Sequence, residues 1–502
     1  MKFIYLIFIS FLISFKGISQ EIIWQKSIGS FNSEISQKII NTSDGGFVIA
    51  AYMWNSDSSA TTNLMYDYYI IKTDDEGNVI WEKTFGRSNN DFAKSIIQTS
   101  DGGYLVIGYS YSKDGDISNP VSTDTNCDIW VIKLSSSGIK QWEKSYGTSG
   151  DDFANDVIPT NDNGYLICGN SYKAFLLKIN QSGTEQWTKY YNTEISGNDA
   201  FNTIINTKDG NYIAAGYFSS DIGDYGGKNP WIIKFDTNGD TIWSNVYLGH
   251  YNYDVINAVI ELEDESIVFT GGTESPDGGY PIFDLIDVLV GKVSKTGDNI
   301  WLEAIGGYED DEAYSICKSN TTNNVIISGH SKSNSGLVNA NFGLSDYWIV
   351  ELNSTGDTVW TRNFGGSDND IAYGIIKSSD NKYIVCGTTY SNDNQVENNN
   401  GIADIWLLKL SDFVDIPNIN NNISITCYPN PTNGKLFIYY DFAKSTKAKI
   451  KIYNLVGELI KTDNIENSKG IYQTDFNNFA HGIYYINISN DEFTKTVRVV
   501  YE

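Results

Sequence analysis

Seven tryptophans recur along the chain at a nearly constant spacing, and this repeat restricts the possible folds more than any other feature. The intervals between them are 57, 61, 45, 56, 58 and 59 residues. The residues are Trp24, Trp81, Trp142, Trp187, Trp243, Trp301 and Trp360. Periods near this length are typical of propellers and solenoids, in which each repeat buries its faces only against its neighbours. The 502-residue chain is therefore expected to be a repeat array.

Between consecutive tryptophans the sequence has the pattern of four short strands. An acidic residue 10 to 12 positions after the Trp begins the first strand, and a turn such as "DGG" at 101–103 leads into the second. A variable loop precedes the third strand, for example "DIWVIK" at 128–133, and a Gly lies four residues before the next Trp in six units. Aromatic and β-branched residues between Gly, Asn and Asp turns favour sheet over helix. The sequence thus predicts an all-β protein built from four-stranded blades.

The repeat begins and ends out of phase. Residues 22–29 resemble a fourth strand without its first three, and residues 370–410 supply three strands without a fourth. Pairing these two segments predicts a seven-bladed β-propeller over residues 20–411, closed by the N-terminal strand. An open stack of sheets is the alternative, but it would leave both end sheets exposed to edge pairing.

The N-terminal segment has the pattern of an export signal. Lys2 precedes an apolar run at 3–15, and small residues, Gly17 and Ser19, follow. The run is too short for a membrane span, so a signal peptide is predicted over residues 1–19. No later apolar run is long enough to cross a bilayer, and we expect no membrane span in the mature chain.

Charge and composition exclude several classes of function. The net charge of −27 would repel nucleic acid and anionic membranes. The five cysteines are scattered and are expected to be small buried apolar residues, with neither disulfides nor a metal site. The three histidines, His250, His330 and His481, form neither a metal-binding pair nor a catalytic triad in the sequence. We therefore expect no enzyme activity, no catalytic residues and no resident cofactor.

The run K-x-D-x-x-G-x-x-x-W, at 234–243, resembles the tryptophan-docking repeat of quinoprotein-type propellers. That resemblance implies a propeller in which each Trp packs between blades. The sequence lacks an adjacent cysteine pair and an identifiable set of quinone and calcium ligands. The repeats also resemble those of exported bacterial propeller proteins.

The last part of the chain departs from the repeat after a predicted linker at 412–426. "CYPNPTNGKLFIYY" (427–440), a short N-x-x-G turn, "HGIYYINI" (481–488) and a basic final strand resemble the type IX secretion C-terminal sorting domain of Bacteroidota. The motif residues are Tyr428, Pro429, Asn430, Pro431, Gly434, Gly457, Gly482 and Tyr484. The resemblance implies export by the type IX machinery, recognition at the outer membrane, and a secreted or surface location. One departure is Arg498, where Lys is usual. Alternating strands predict a small Ig-like β-sandwich over residues 427–502, and a generic accessory domain is the alternative.

Two sets of acidic residues repeat with the blades. One begins the first strands: Glu34, Asp91, Asp152, Asp199, Asp254, Asp311 and Asp370. The other begins most third strands: Asp67, Asp128, Asp287, Asp346 and Asp404, with Lys173 and Asn229 as exceptions. Both sets are expected on one face. They either form a ring of cation or ligand sites or cap local turns, and repetition in all seven units favours capping.

The loops between second and third strands vary most, which favours ligand binding there. They are 112–127, 220–229, 275–283 and 331–345. Asp114 and Asp116 in the first loop are calcium candidates, and Tyr111, Tyr217, Tyr280 and Tyr390 are candidates for stacking on sugars. The sequence predicts a non-enzymatic binding module with a glycan or protein ligand. The alternatives are a secreted enzyme, either glycan-active or quinoprotein-like, and a purely structural surface protein.

Overall fold

A computed structural model of the chain describes residues 22–501 with the exception of short segments. The segments left out are 56–64, 122–124, 192–197, 221–226, 248–252, 275–284, 339, 412–423, 429–431, 433, 442–446, 455–457, 468, 478 and 490–493. The predicted signal peptide lies outside the described residues. The chain divides into two compact units, Met1–Asp412 and Phe413–Glu502. The described residues form 35 strands and no helix, which confirms the all-β prediction.

The first unit contains seven four-stranded antiparallel sheets, which we call blades 1 to 7. Blade 1 comprises β2 (Glu34–Asn41), β3 (Phe47–Asn55), β4 (Met65–Thr73) and β5 (Val79–Phe85). Blade 2 comprises β6 (Asp91–Gln98), β7 (Tyr104–Ser110), β8 (Asp128–Leu134) and β9 (Lys140–Tyr146). Blade 3 comprises β10 (Phe153–Pro159), β11 (Tyr165–Ser171), β12 (Lys173–Ile179) and β13 (Glu185–Tyr191). Blade 4 comprises β14 (Ala200–Asn206), β15 (Tyr212–Ser220), β16 (Gly227–Phe235) and β17 (Thr241–Val246).

The remaining blades follow the same strand order. Blade 5 comprises β18 (Asp254–Glu261), β19 (Ile267–Thr273), β20 (Asp287–Val293) and β21 (Asn299–Ile305). Blade 6 comprises β22 (Asp311–Lys318), β23 (Val325–Ser331), β24 (Asp346–Leu352) and β25 (Thr358–Phe364). Blade 7 comprises β26 (Asp370–Lys377), β27 (Tyr383–Thr389), β28 (Asp404–Leu410) and β1 (Ile22–Ile28). The fourth strand of blade 7 is thus the N-terminal strand, which pairs Ile28 with Ile405 and Trp24 with Lys409.

The blades form a closed ring. The first strand of each blade packs against the preceding blade, and β2 of blade 1 packs against β26 and β27 of blade 7. Apolar side chains fill the space between neighbours: Tyr68 of blade 1, for example, shares a core with Trp130 of blade 2. Burial of each such large side chain contributes about 1.5–3 kcal/mol. A single blade lacks a neighbour against which to bury these side chains, so each blade depends on the next one around the closed ring.

The repeated tryptophans join consecutive blades. The ring of Trp81 on β5 lies against Gly138 in blade 2, where an added Cβ would lie 2.9 Å from the indole. Its Nε1 donates a hydrogen bond to the Ser136 carbonyl at 3.2 Å. Gly138 has φ +76°, so glycine is required for the turn and for the approach of the ring. Trp243 and Trp301 donate in the same way to the next blade.

The second unit consists of two sheets around one core. Its strands are β29 (Ser424–Tyr428), β30 (Lys435–Asp441), β31 (Ala448–Asn454), β32 (Leu459–Ile465), β33 (Lys469–Asp475), β34 (Gly482–Ser489) and β35 (Thr494–Tyr501). The sheet orders are β29-β30-β33 and β32-β31-β34-β35. Leu436 and Ile438 of the first sheet share a core with Ile450 and Ile486 of the second, an arrangement of sandwich type. Because β29 starts at residue 424, the boundary drawn from the sequence at 427 falls within a strand.

The structure gives no membrane-spanning candidate in the residues that it describes, since none of them belongs to a long apolar helix.

Candidate functional site

The acids that begin the first strands cap the turns before them. Asp91 Oδ2 accepts the backbone N–H of Arg87 at 3.2 Å, and Asp370 Oδ2 accepts that of Gly366 at 2.7 Å. Asp152 Oδ2 accepts the N–H of Thr148 at 2.6 Å. Each carboxylate therefore satisfies a backbone donor four residues upstream, which is a capping role.

At four blade boundaries the acid of the third strand meets this capping acid. Between blades 1 and 2, oxygens of Asp67 and Asp91 lie 2.2 and 2.4 Å from the position of an added Cβ on Gly86. Gly306, Gly365 and Gly29 occupy the equivalent position at the boundaries 5/6, 6/7 and 7/1. The converging pairs there are Asp287–Asp311, Asp346–Asp370 and Asp404–Glu34. A side chain in place of each Gly would collide with both carboxylates, so glycine is needed for this approach.

The other three boundaries have no such pair. At 2/3, Lys113 from the 112–127 loop binds the Asp128 carboxylate at 2.9 Å, and the atoms nearest to the equivalent Gly147 belong to Asp152 alone. At 3/4, Lys173 stands in place of the third-strand acid, and at 4/5 Asn229 does. Thus a lysine neutralises the second carboxylate at 2/3, and a lysine or an asparagine replaces it at 3/4 and 4/5.

Burial changes the protonation of the paired acids. Burial is the main cause that raises the pKa of Asp346 to about 7, and the charge of Asp370 adds to it. Burial likewise raises the pKa of Asp91 to about 7 and that of Asp311 to about 6. For Glu34 and Asp404 the pKa is also raised, again chiefly by burial. Loss of water disfavours the charged form in each case.

The calcium candidates in the 112–127 loop have other partners. Asp116 forms an ion pair with Lys140 at 2.6 Å, and its second oxygen accepts the N–H of Gly86 at 3.4 Å. The backbone carbonyl of Asp114 closes a turn by accepting the N–H of Ile117. Within the described part of the chain no three His, Cys, Asp or Glu side chains group around a common point. A calcium site on Asp114 and Asp116 stays a prediction.

A ring of side chains lines the inside of the seven blades. Every first strand has a β-bulge three residues after its acidic position, and a bulge redirects the side chain of the extra residue. The bulge residues are Gln37, Lys94, Asn155, Asn202, Asn257, Tyr314 and Tyr373. Neighbours touch around the ring: Lys94 Nζ donates to Gln37 Oε1 at 2.8 Å, and the rings of Tyr314 and Tyr373 lie 5.2 Å apart. We call this set the floor ring.

Aromatic side chains stand above the floor ring, towards the face of the acids. Tyr52, Tyr66, Phe92, Tyr109 and Phe153, which we call the aromatic belt, are half-buried and contact one another at 4.9–5.6 Å. Burial raises the pKa of Tyr52, and nearby Tyr373 adds to the shift, so the belt reaches blade 7. The belt and the floor ring together form what we call the axial cup.

A buried carboxylate closes the ring one residue below the floor. Asp156 of blade 3 accepts a hydrogen bond from Ser95 Oγ of blade 2 at 2.7 Å and from the N–H of Ile204 in blade 4 at 3.2 Å. Lys38 of blade 1 reaches the same carboxylate at 3.4 Å, although blades 1 and 3 are not adjacent. These contacts join residues of blades 1 to 4 below the floor ring.

The floor ring mixes fixed polar groups with an unusual lysine. Burial lowers the pKa of Lys94 to about 8. Glu312 accepts hydrogen bonds from Asn257 Nδ2 at 2.9 Å and from the hydroxyl of Tyr314 at 2.9 Å, which orients both bulge residues. The floor ring is not apparent from sequence spacing, because a β-bulge in a single strand leaves no periodic pattern there. The available sequence signal is that each bulge residue lies three positions after the acid of its first strand.

The tyrosines predicted to stack on sugars, and the histidines, differ in their exposure and contacts. Tyr390 is 37% exposed at the end of β27, whereas the ring of Tyr217 is covered by Lys228 at 4.4 Å. Tyr111 packs against Tyr109, and Tyr280 lies outside the described residues, as does His250. His330 is buried against Tyr314, and burial lowers its pKa to about 4.

Four of the five cysteines are free thiols. Cys127, Cys168 and Cys386 are buried in strands or their ends, and Cys317 is half-buried. His481 stacks on Tyr501 in the second unit, far along the chain from any other histidine. These placements agree with packing roles.

The sorting-motif residues are described only in part. Tyr484 is buried in the core of the second unit, and its hydroxyl donates to the Ala480 carbonyl at 2.6 Å. Gly434 has φ +152°, and Asn477 Oδ1 would lie 2.7 Å from an added Cβ. Gly482 begins β34, and Tyr428 ends β29. Pro429, Asn430, Pro431 and Gly457 lie outside the described residues.

Comparison with known proteins identifies the second unit. The family of the secretion system C-terminal sorting domain (Por_Secre_tail) matches residues 426–502. A curated relative, the regulatory protein FlaEY of Caulobacter vibrioides, is 22% identical over 371 residues. That match covers 69% of this chain, which spans about a third (35%) of the relative.

Solved structures give distant matches. A Bacteroides caccae protein of unknown function is 13% identical, with 66% of this chain and 94% of that chain covered at a TM-score of 0.36. PorZ of Porphyromonas gingivalis, a surface component of the type-IX secretion system, is 10% identical, with 93% and 81% covered at a TM-score of 0.28. The Pan2 WD40 domain of Neurospora crassa is 11% identical, with 77% and 91% covered at a TM-score of 0.40.

Proposed function

We propose that this chain, which its C-terminal sorting domain directs through type IX secretion to the cell surface or the extracellular space, is a non-enzymatic module that binds a glycan. The axial cup is the observation that carries the proposal. It combines half-buried aromatic rings, amide side chains and one lysine on the inside of the ring of blades. The sorting domain is the segment that engages the secretion machinery, and the blades hold the ligand.

The chemistry of the axial cup suits a neutral polar ligand with apolar faces. Aromatic rings stack on the C–H faces of sugars, while amides and hydroxyls exchange hydrogen bonds with sugar hydroxyls. Tyr390 is the most exposed aromatic near the belt, and Gln37 and Lys94 offer donors below it. The rigid ring keeps these groups in place, which limits the entropy lost on binding.

A binding role without turnover is supported by where the paired carboxylates lie. Glycoside hydrolysis by a carboxylate pair requires both groups to reach the scissile bond. The pairs Asp346–Asp370 and Glu34–Asp404 are completely buried at the blade boundaries. They are therefore withdrawn from a substrate in the axial cup.

The test is a titration calorimetry panel of neutral, acidic and amino-sugar polysaccharides against the mature chain from residue 20. A saturable ligand is expected, and Tyr390→Ala is expected to weaken it about tenfold, the loss of roughly one aromatic contact. Tyr190→Ala is the matched control, because Tyr190 is 48% exposed but lies on β13, the fourth strand of blade 3.

Three outcomes would contradict the proposal. New reducing ends in the incubated polysaccharide would show an enzyme. Silence across the panel, with capture of a protein ligand that Tyr390→Ala weakens, would replace the glycan by a protein. Equal losses in Tyr390→Ala and Tyr190→Ala would remove the axial cup as the site.

A further inference from the structure

The boundary between blades 7 and 1 holds two buried acids whose oxygens face each other. Glu34 and Asp404 are both 0% exposed. Asp404 Oδ1 and Glu34 Oε2 lie 2.4 and 2.6 Å from the same point beside Gly29. Among the described residues neither of these two oxygens has a hydrogen-bond partner. Their other oxygens are occupied, because Ser30 donates to Glu34 Oε1 and the Asn400 N–H donates to Asp404 Oδ2 at 2.9 Å.

Unpartnered buried carboxylate oxygens are strongly unfavourable, and two of them together are more so. At other boundaries the chain itself avoids two unpaired carboxylates. Lys113 pairs with Asp128 at 2/3, and Lys173 or Asn229 stands in place of the second acid at 3/4 and 4/5. Among the described residues, no positive side chain is a main cause of the pKa shift of Glu34 or Asp404. The charge at this boundary therefore requires a partner from outside the chain.

The oxygens of the pair suit a hard cation. The backbone at Gly29 lies against them, because even a methyl group there would collide with Asp404 and Glu34. Carboxylate, hydroxyl and carbonyl oxygens are the ligands that calcium prefers, with waters completing six to eight positions. The Ser30 hydroxyl lies beside the pair, where it donates to Glu34 Oε1 at 2.6 Å.

We propose that Glu34 and Asp404 bind a calcium ion at the blade 7/1 boundary, and that Asp346 and Asp370 bind a second one at the 6/7 boundary. The second pair has the same arrangement beside Gly365, both acids are 0% exposed, and Asp346 Oδ1 has no hydrogen-bond partner among the described residues. These sites differ from the axial cup, and they hold whether or not a glycan binds there. They link consecutive blades, one of them where the N-terminal strand closes the ring.

A proton shared by each pair is the competing possibility. A shared proton also removes one charge, and it needs no metal. The two possibilities differ in their dependence on pH, because raising the pH removes a shared proton and favours bound calcium. The experiment is therefore performed at pH 8.

The experiment measures calcium bound to the full mature chain by equilibrium dialysis. At least two ions per chain are expected. Glu34→Gln and Asp346→Asn are each expected to lose one ion. Asp152→Asn is the control, since Asp152 caps an equivalent first strand and is buried at the boundary that Lys113 neutralises. It is expected to lose none.

A second measurement needs no variant. Hydrogen exchange of the unmodified chain, with calcium or with EDTA, is expected to show slower exchange in calcium at the amides of Ser30 and Asn400, which donate to the paired acids. Absence of bound calcium, unchanged counts in both variants, or equal exchange at these amides would overturn the proposal in favour of the shared proton. A loss in Glu34→Gln alone would overturn the 6/7 site only.

Discussion

The two halves of the ring solve the same electrostatic problem differently. From the 2/3 to the 4/5 boundary, Lys113, Lys173 and Asn229 remove the second negative charge. From the 5/6 boundary through 7/1 to 1/2, two carboxylates converge on one glycine at each step. The same fold accommodates both, so the backbone does not dictate the choice. At the 3/4 and 4/5 boundaries the residue that begins the third strand decides it, and at 2/3 Lys113 of the 112–127 loop does.

The floor ring divides along nearly the same line. Blades 3, 4 and 5 place Asn155, Asn202 and Asn257 there, and each side chain donates to a backbone carbonyl of the next blade. Blades 6, 7, 1 and 2 place Tyr314, Tyr373, Gln37 and Lys94 at the equivalent bulges. The amides of blades 3 to 5 therefore connect consecutive blades through the backbone, whereas the floor residues of blades 6, 7, 1 and 2 contact side chains: Lys94 donates to Gln37, Tyr314 donates to Glu312, and Tyr373 lies against Tyr314.

The largest expected effect comes from converting a neutralised boundary into an acid pair. Lys113→Met leaves Asp128 and Asp152 without the ammonium group that now lies 2.9 Å from Asp128. Removing one partner of a largely buried ion pair costs about 3 kcal/mol. The unfolding free energy of the mature chain in EDTA at pH 7.5, from urea denaturation, is expected to fall by that amount.

Lys113→Arg is the matched control, because it keeps the positive charge and is expected to lose less than about 1 kcal/mol. Calcium is expected to restore part of the stability of Lys113→Met and none of that of Lys113→Arg. A Lys113→Met chain as stable as the unmodified chain would show that the 2/3 boundary does not depend on this charge.

The second prediction concerns pH. The raised pKa values of Asp346, about 7, and Asp311, about 6, mean that the folded chain binds more protons than the unfolded chain between about pH 4 and pH 7. The stability contributed by these groups is therefore present at the acid end of this window and is lost as pH rises through it. Asp346→Asn removes one such group, and in EDTA it is expected to lose about 2 kcal/mol less between pH 5 and pH 7.5 than the unmodified chain.

The neutralised half supplies the control for this pH series. Asp152→Asn is expected to leave the difference between pH 5 and pH 7.5 unchanged, because Lys113 lies at that boundary. Parallel pH profiles for Asp346→Asn and the unmodified chain would contradict the assignment of the slope to the 6/7 pair.

The sequence predicts the blades well, because their signals are local and repeated. Spacing, turn residues and the recurring Trp identify each strand group, and the mismatch between the two ends predicts that residues 22–28 pair with β28. The capping role of the first-strand acids also follows from repetition. These features depend on neighbours within one repeat or the next.

The candidate sites depend on contacts between repeats, which spacing does not encode. Asp404 and Glu34 are 370 positions apart and meet only because the ring closes. The ion pair of Asp116 with Lys140 lies within blade 2, and its 24-residue separation is not apparent from the repeat either. Glycine at position 29 is the one local sign of the convergence, and glycine also ends many strands simply because its backbone turns freely.

The third prediction separates the two halves of the floor ring by ligand affinity. Tyr373→Ala, in the half without the amide contacts between blades, is expected to weaken binding of the glycan found in the panel about tenfold, through loss of one stacking contact. Asn202→Ala is expected to change the affinity less than twofold, because the Asn202 amide already donates to the Ile256 carbonyl at 2.9 Å. Calorimetric titration of both variants decides the matter, and a larger loss in Asn202→Ala would place the ligand on blades 3 to 5.

The smallest expected effect is on stability, and here the larger loss is expected in blades 3 to 5. Asn202→Ala removes a hydrogen bond between blades 4 and 5 and leaves the Ile256 carbonyl without that donor, at an expected cost of about 1 kcal/mol in unfolding free energy. Gln37→Ala removes an acceptor for the Lys94 ammonium group, and because Lys94 is only half-buried, water is expected to replace that contact. Its expected cost is below about 0.5 kcal/mol. Urea denaturation of both variants in EDTA gives the comparison. Equal costs would mean that the amides of blades 3 to 5 hold the ring together no more than the floor residues of blades 6, 7, 1 and 2.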